Sequence, residues 1–116
     1  LVAKKQDEES DLTRMIEDVT SIVEKELNLL INRDDFNYSR FIIHLQYLLK
    51  RKDKKVVTHT SNLKMFEKMK EEYVDVYQCV LKIKEYFEKI LNWQLNDEEL
   101  LYLMLHINRF YSREGL

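Results

Sequence analysis

Proline is absent from this chain, and its single glycine, Gly115, is the penultimate residue. Tight turns and strand ends ordinarily need both residues as punctuation. Their absence argues against a sheet protein and for long helices joined by short polar links. One cysteine, Cys79, excludes an internal disulfide and suits a reducing compartment. No apolar run approaches the roughly 18 residues of a membrane span, and no signal-peptide pattern opens the chain. With a formal net charge of -2 there is no basic surplus of the kind a nucleic-acid groove requires. The chain lacks a glycine-flanked serine, a phosphate-binding loop and histidines at metal-ligand spacing, so neither a hydrolase nor a metal site is expected. The expectation is a protein that is not an enzyme and has no cofactor.

What is present is enough for one domain. Among the 116 residues, 45 % are hydrophobic and 34 % charged, a balance that builds one core rather than a disordered segment. The chain begins at Leu1, not methionine, and is expected to be a fragment of a longer cytoplasmic protein, with residues 1–9 a linker remnant and 10–116 the domain.

Hydrophobic periodicity divides the domain into about five helices. Leu12, Met15, Ile16, Val19, Ile22, Val23, Leu27 and Leu30 recur at three- and four-residue steps, predicting a helix from a Ser10 or Asp11 cap to about Asn32. A second helix is expected over 35–51, with Tyr38, Phe41, Ile42, Leu45, Leu48 and Leu49 as its stripe. The basic block KRKDKK (50–55) reads as a solvated helix end, or as a docking patch for an acidic partner. The β-branched stretch VVTHTS (56–61) reads as a loop. Ser61 or Asn62 then starts a short helix carrying Leu63, Phe66 and Met69. The fourth helix is expected over 72–91. The fifth begins at an Asn96 cap, which with Glu99 makes a capping-box pattern, and reaches about Tyr111. Its apolar residues lie on nearly every side, which places it centrally in the bundle or at a subunit interface. The fold class is therefore all-α, a compact bundle of about five helices.

The chain has three histidines. His44 falls at the border of the second helix's apolar stripe, with Asn37, Arg40 and Arg51 within roughly 40° of it on the helical wheel. His106 lies inside the apolar fifth helix, where it needs a hydrogen-bonding partner, and Glu99 and Tyr102 share its side. By position alone, both histidines read better as structural residues than as functional ones. His59 lies between two threonines and is given no role.

The strings around the two helical histidines favour a functional reading. YSRFIIHLQYLLKR (38–51) and LNDEELLYLMLHINRF (95–110), with YQCVLKIKEYF (77–87) between them, resemble the signature regions of a PTS regulation domain. Such domains occur in bacterial antiterminators of the BglG/SacY family and in some DNA-binding activators. The resemblance runs from about Asp11 to Tyr111. Because Ile43 rather than an aspartate precedes His44, the chain is most similar to the second of the two tandem domains.

The resemblance implies that His44 and His106 are phosphoacceptors, modified by the phosphocarrier HPr or a sugar-specific enzyme II component of the phosphotransferase system. It also implies a homodimer whose arrangement the modification changes, generally towards activity in second domains, and an RNA-binding head in a separate N-terminal domain. Arg40, one turn before His44, and Arg109, three residues after His106, are candidates to hold the phosphate oxygens; as ordinary surface charges they would need no such role. Two further readings remain open. A two-component phosphotransfer domain is also a helical bundle, but lacks the expected lysine and glycine after its histidine here. A structural dimerisation bundle would use both histidines for packing alone.

Overall fold

The computed structural model describes residues 2–51 and 63–114, with side chains from 11–51 and 63–111. Five α-helices follow in order: α1 (Val2–Leu27), α2 (Phe36–Lys50), α3 (Leu63–Glu72), α4 (Val74–Leu91) and α5 (Asp97–Glu114). The described residues contain no strand, so the all-α bundle is as expected. His59, the VVTHTS segment, the Ser61 and Asn62 helix start and Lys52 to Lys55 lie outside the described residues.

α1 departs from expectation at both ends. It begins at Val2 rather than Ser10. Its opening stretch is rich in Ala, Lys, Gln and Glu, residues that extend a helix on propensity without an apolar stripe to reveal it. It ends at Leu27, five residues before Asn32, because Asn28 turns left-handed at φ 52. The Leu29 N–H then reaches back to the Glu24 carbonyl at 3.1 Å, a Schellman closure of the helix end. Leu30, assigned to the apolar stripe, is 85 % exposed, and Ile31 enters the core instead. The Ile31 N–H donates to Glu24 Oε2 at 2.9 Å, which anchors the link to the helix it leaves.

Asn92 ends α4 in the same left-handed conformation, at φ 51. Apart from glycine, asparagine is the residue that most readily visits this region. In a chain with one glycine, two asparagines supply the stops.

The starts of α2 and α5 follow the capping rules, whereas α4 starts at Tyr73 without a side-chain cap bond. Asp35 Oδ1 accepts from the Asn37 N–H at 2.7 Å and starts α2. The box at α5 is reciprocal: Asn96 Oδ1 accepts from the Glu99 N–H at 2.8 Å, and Glu99 Oε1 accepts from the Asn96 N–H at 2.9 Å.

α5 is central. It packs against α2, α3 and α4, while α1 closes the bundle against α4 and α2. Leu100, Leu101, Leu103, Met104, Ile107 and Phe110 of α5 are buried. Where α2 crosses α5, Tyr38, Phe41 and Phe110 form an aromatic cluster with centroids 5.5 to 6.5 Å apart. Offset and edge-on pairs of this kind add to the area they bury. Two polar pins tie α1 in place. Thr20 Oγ1 is 2.8 Å from both the Ile16 carbonyl and Tyr38 Oη. A hydroxyl has one proton, so Thr20 donates to the carbonyl and Tyr38 donates to Thr20. Tyr86 Oη of α4 donates to Asp18 Oδ2 of α1 at 2.5 Å. Both helical histidines lie on the α2–α5 crossing.

Candidate functional site

His44 and His106 are 62 positions apart in the chain, yet their rings stack. The centroids are 3.9 Å apart and the planes differ by 28°. α2 brings His44 to the surface of α5, and the Tyr38, Phe41 and Phe110 cluster sets how closely the two helices approach there. His106 is buried, 6 % exposed, while His44 is half-buried.

Tyr102, one turn before His106 on α5, completes the group. Its hydroxyl lies 2.7 Å from His44 Nδ1. Its ring meets both imidazoles edge-on, with centroids 5.1 Å from His44 and 4.8 Å from His106. Glu99 and Tyr102 were the expected partners of His106, and each is used differently. The Glu99 carboxylate caps α5 through the Asn96 N–H, and the Tyr102 hydroxyl goes to His44. The sequence contained a signal for this: Tyr102 and His106 stand at i and i+4, so a ring packed on one also meets the other.

The electrostatics of the pair favour neutral rings. Burial lowers the pKa of His106 to about 4, helped by the neighbouring His44 and by Arg109 and Arg40. His44 is lowered from 6.5 by the same effects: burial first, then the charges of Arg40 and Arg109. Both arginines therefore act on both rings, although neither was placed near the other's histidine by the sequence. Arg40 also lies over the Phe36 ring, 5.6 Å from its centroid. At neutral pH each imidazole has one N–H and one lone pair, so either can act as a nucleophile or as a hydrogen-bond acceptor.

Beside His44 a cavity of about 200 Å³ is lined by Tyr47, Leu48, Arg51, Glu98, Glu99 and Tyr102. The histidine pair thus feels the charges of Arg40 and Arg109, and His44 borders a cavity that carries Arg51 as well as Glu98 and Glu99. Among the described residues no three His, Cys, Asp or Glu side chains converge to hold a metal ion. Among them, too, no helix is long and apolar enough to cross a membrane.

The sequence matches the PRD domain over residues 17–110. It is 31 % identical over 101 residues to a beta-glucoside operon antiterminator of Dickeya chrysanthemi, covering 87 % of this chain and 36 % of that protein. It is 33 % identical over 106 residues to Protein GlcT of Staphylococcus haemolyticus, covering 91 % and 37 %. With transcription antiterminator LicT of Bacillus subtilis the identity is 29 % over 99 residues, covering 85 % and 36 %. The chain therefore spans little more than a third of the length of these relatives, two of which are named as regulators of transcription rather than as enzymes. The match covers most of the chain, and the chain belongs to the PRD domain family.

Proposed function

We propose that this chain is the phosphoacceptor regulatory domain of a cytoplasmic transcriptional antiterminator for a sugar-utilisation operon, with His44 and His106 as the acceptors. It catalyses no reaction of its own. The phosphocarrier HPr or a sugar-specific enzyme II component donates the phosphoryl group, and a separate N-terminal domain binds RNA. The Ile43–His44 context fits the second of two tandem domains. The antiterminator names of its relatives favour an RNA-binding head over a DNA-binding one.

One observation carries this reading. Two imidazoles stack at 3.9 Å and are kept neutral by burial and by two arginines. Phosphoryl transfer needs a lone pair in line with phosphorus and positive charge around the equatorial oxygens. The neutral rings supply the first, and the Arg40 and Arg109 guanidiniums the second.

The modification places about -1.5 to -2 of charge on the phosphoryl group, by analogy with other phosphorylated side chains. At this crossing the new charge attracts Arg40 and Arg109, repels Glu98 and Glu99, and raises the proton affinity of the unmodified partner ring. A homodimer that places this surface near its interface feels each of these changes, and its arrangement shifts accordingly.

The test is phosphorylation of the chain by phosphoenolpyruvate, enzyme I and HPr, read by intact mass. An acid-labile mass gain that falls stepwise in His44→Ala and His106→Ala supports the reading. Folded protein that gains no mass from active HPr, nor from the enzyme II component, overturns it in favour of a structural bundle.

A further inference from the structure

A neutral imidazole has one N–H and one lone pair, so only one of its nitrogens can attack phosphorus. At His44 one nitrogen is already engaged, since Nδ1 lies 2.7 Å from Tyr102 Oη. The two tautomers then differ sharply. With the proton on Nε2, the Tyr102 hydroxyl donates into the Nδ1 lone pair, and neither nitrogen is left with a free one. With the proton on Nδ1, the ring donates to Tyr102 Oη and the Nε2 lone pair is free. Only the second form is a ready nucleophile. Tyr102 Oη can accept from that Nδ1–H, and its ring, edge-on against both histidines, fixes where the hydroxyl meets Nδ1.

We propose that Tyr102 is a positioning residue: by accepting a hydrogen bond from His44 Nδ1–H, it selects the tautomer whose Nε2 takes the phosphoryl group. This rests on the phosphoacceptor reading of His44. In the step, the Nε2 lone pair bonds to phosphorus as the P–N bond of a phosphohistidine donor breaks, and the electron pair of that bond returns to the donor ring. A donor ring protonated on its other nitrogen leaves as neutral imidazole. The His44 ring, neutral at the start with its proton on Nδ1, ends as a phosphoimidazolium. No proton moves, and one unit of ring charge passes with the phosphoryl group.

The Nδ1–H···Oη bond is therefore neutral before the transfer and charge-assisted after it. A bond that strengthens along the reaction lowers the barrier rather than merely holding the ground state. It also opposes the two arginines, whose charges disfavour a cationic ring at this position.

Tyr102→Phe removes the hydroxyl and keeps the ring that packs on both histidines. In ¹⁵N-labelled chain at neutral pH, wild-type His44 is expected to show a protonated Nδ1 and an unprotonated Nε2, and the variant a mixture shifted towards Nε2–H. With HPr as donor, the wild type is expected to carry phosphorus on Nε2 of His44. The variant should react about tenfold more slowly, the loss expected for one hydrogen bond to a group gaining charge, and should place part of the label on Nδ1. An Nε2–H tautomer in the wild type, or a variant with unchanged tautomer, rate and labelled nitrogen, overturns the inference and leaves the phosphoacceptor reading intact. A wild type that accepts no phosphoryl group from HPr or the enzyme II component overturns both, and the nitrogen spectrum separates that case from loss of the contact.

Discussion

Replacing His106 by asparagine removes a titrating ring from the centre of the α2–α5 crossing while keeping a polar, uncharged side chain, and so isolates what burial of that ring costs as pH falls. In the folded chain the His106 pKa is about 4, against an ordinary 6.5, with burial as the largest cause and His44, Arg109 and Arg40 adding to it. The unfolded chain takes up the proton first as pH falls. Between about 6.5 and 4 it binds more protons than the folded chain, so stability falls with pH across that window and the loss levels off below it. Combining the two affinities gives a penalty of about 0.2 kcal/mol at pH 7 and about 2 kcal/mol at pH 5. His44 is lowered too and acts with the same sign, but it is present in both proteins. Urea unfolding followed by circular dichroism at pH 7, 6 and 5 should therefore show wild-type stability falling more than that of His106→Asn, by about 2 kcal/mol over the range. Parallel curves for the two proteins would refute the argument, as would an imidazole titration of folded His106 with its midpoint near 6.5.

Three other perturbations read the fold directly. Phe41→Ala empties the aromatic cluster with Tyr38 and Phe110 and should cost about 3 to 5 kcal/mol in urea unfolding, with a weakened His44–His106 contact visible as an imidazole shift change. Thr20→Val leaves the buried Tyr38 hydroxyl without its acceptor and should cost about 1 to 3 kcal/mol; adding Tyr38→Phe should recover part of that loss, and additive losses would contradict the assigned bond. Burial pushes the Cys79 thiol up to about 12, with the Glu26 carboxylate adding to the rise, so a thiol reagent at neutral pH should label the native chain only as fast as it opens and the urea-unfolded chain at once.

The helices were readable because the signals that make them are local. Apolar spacing along α2 and α4 and the Asn96–Glu99 pair are contained within a few residues each, and the structure carries most of this out, although α4 starts at Val74 rather than Glu72 and leaves Tyr73 and Ile90, expected on its buried face, exposed. The end of α1 was not readable from spacing, because Leu30 continues the period perfectly well. What stops the helix is Asn28 entering the left-handed region, a choice between two backbone states that the apolar pattern does not register. The start of α1 was missed for the opposite reason: its residues favour helix by propensity without an apolar stripe. Both errors arise where backbone preference and hydrophobic period part company.

At the site, the sequence could pick out His44 and His106, but only from the strings around them, since wheel positions alone favoured packing. Their stacking was out of reach, because it depends on how closely α2 approaches α5, and that distance is set by Tyr38, Phe41 and Phe110 filling the crossing. The same closeness explains the electrostatics. Arg40 was expected to act on His44 and Arg109 on His106, each through its own helix. With the rings 3.9 Å apart, each arginine reaches both, and His44 itself becomes a reason for His106 to stay neutral. Two histidines that would each titrate near neutrality alone are thereby held as a pair in the uncharged state. A charge placed on either ring is felt immediately by the other, and this coupling exists only once α2 and α5 have packed.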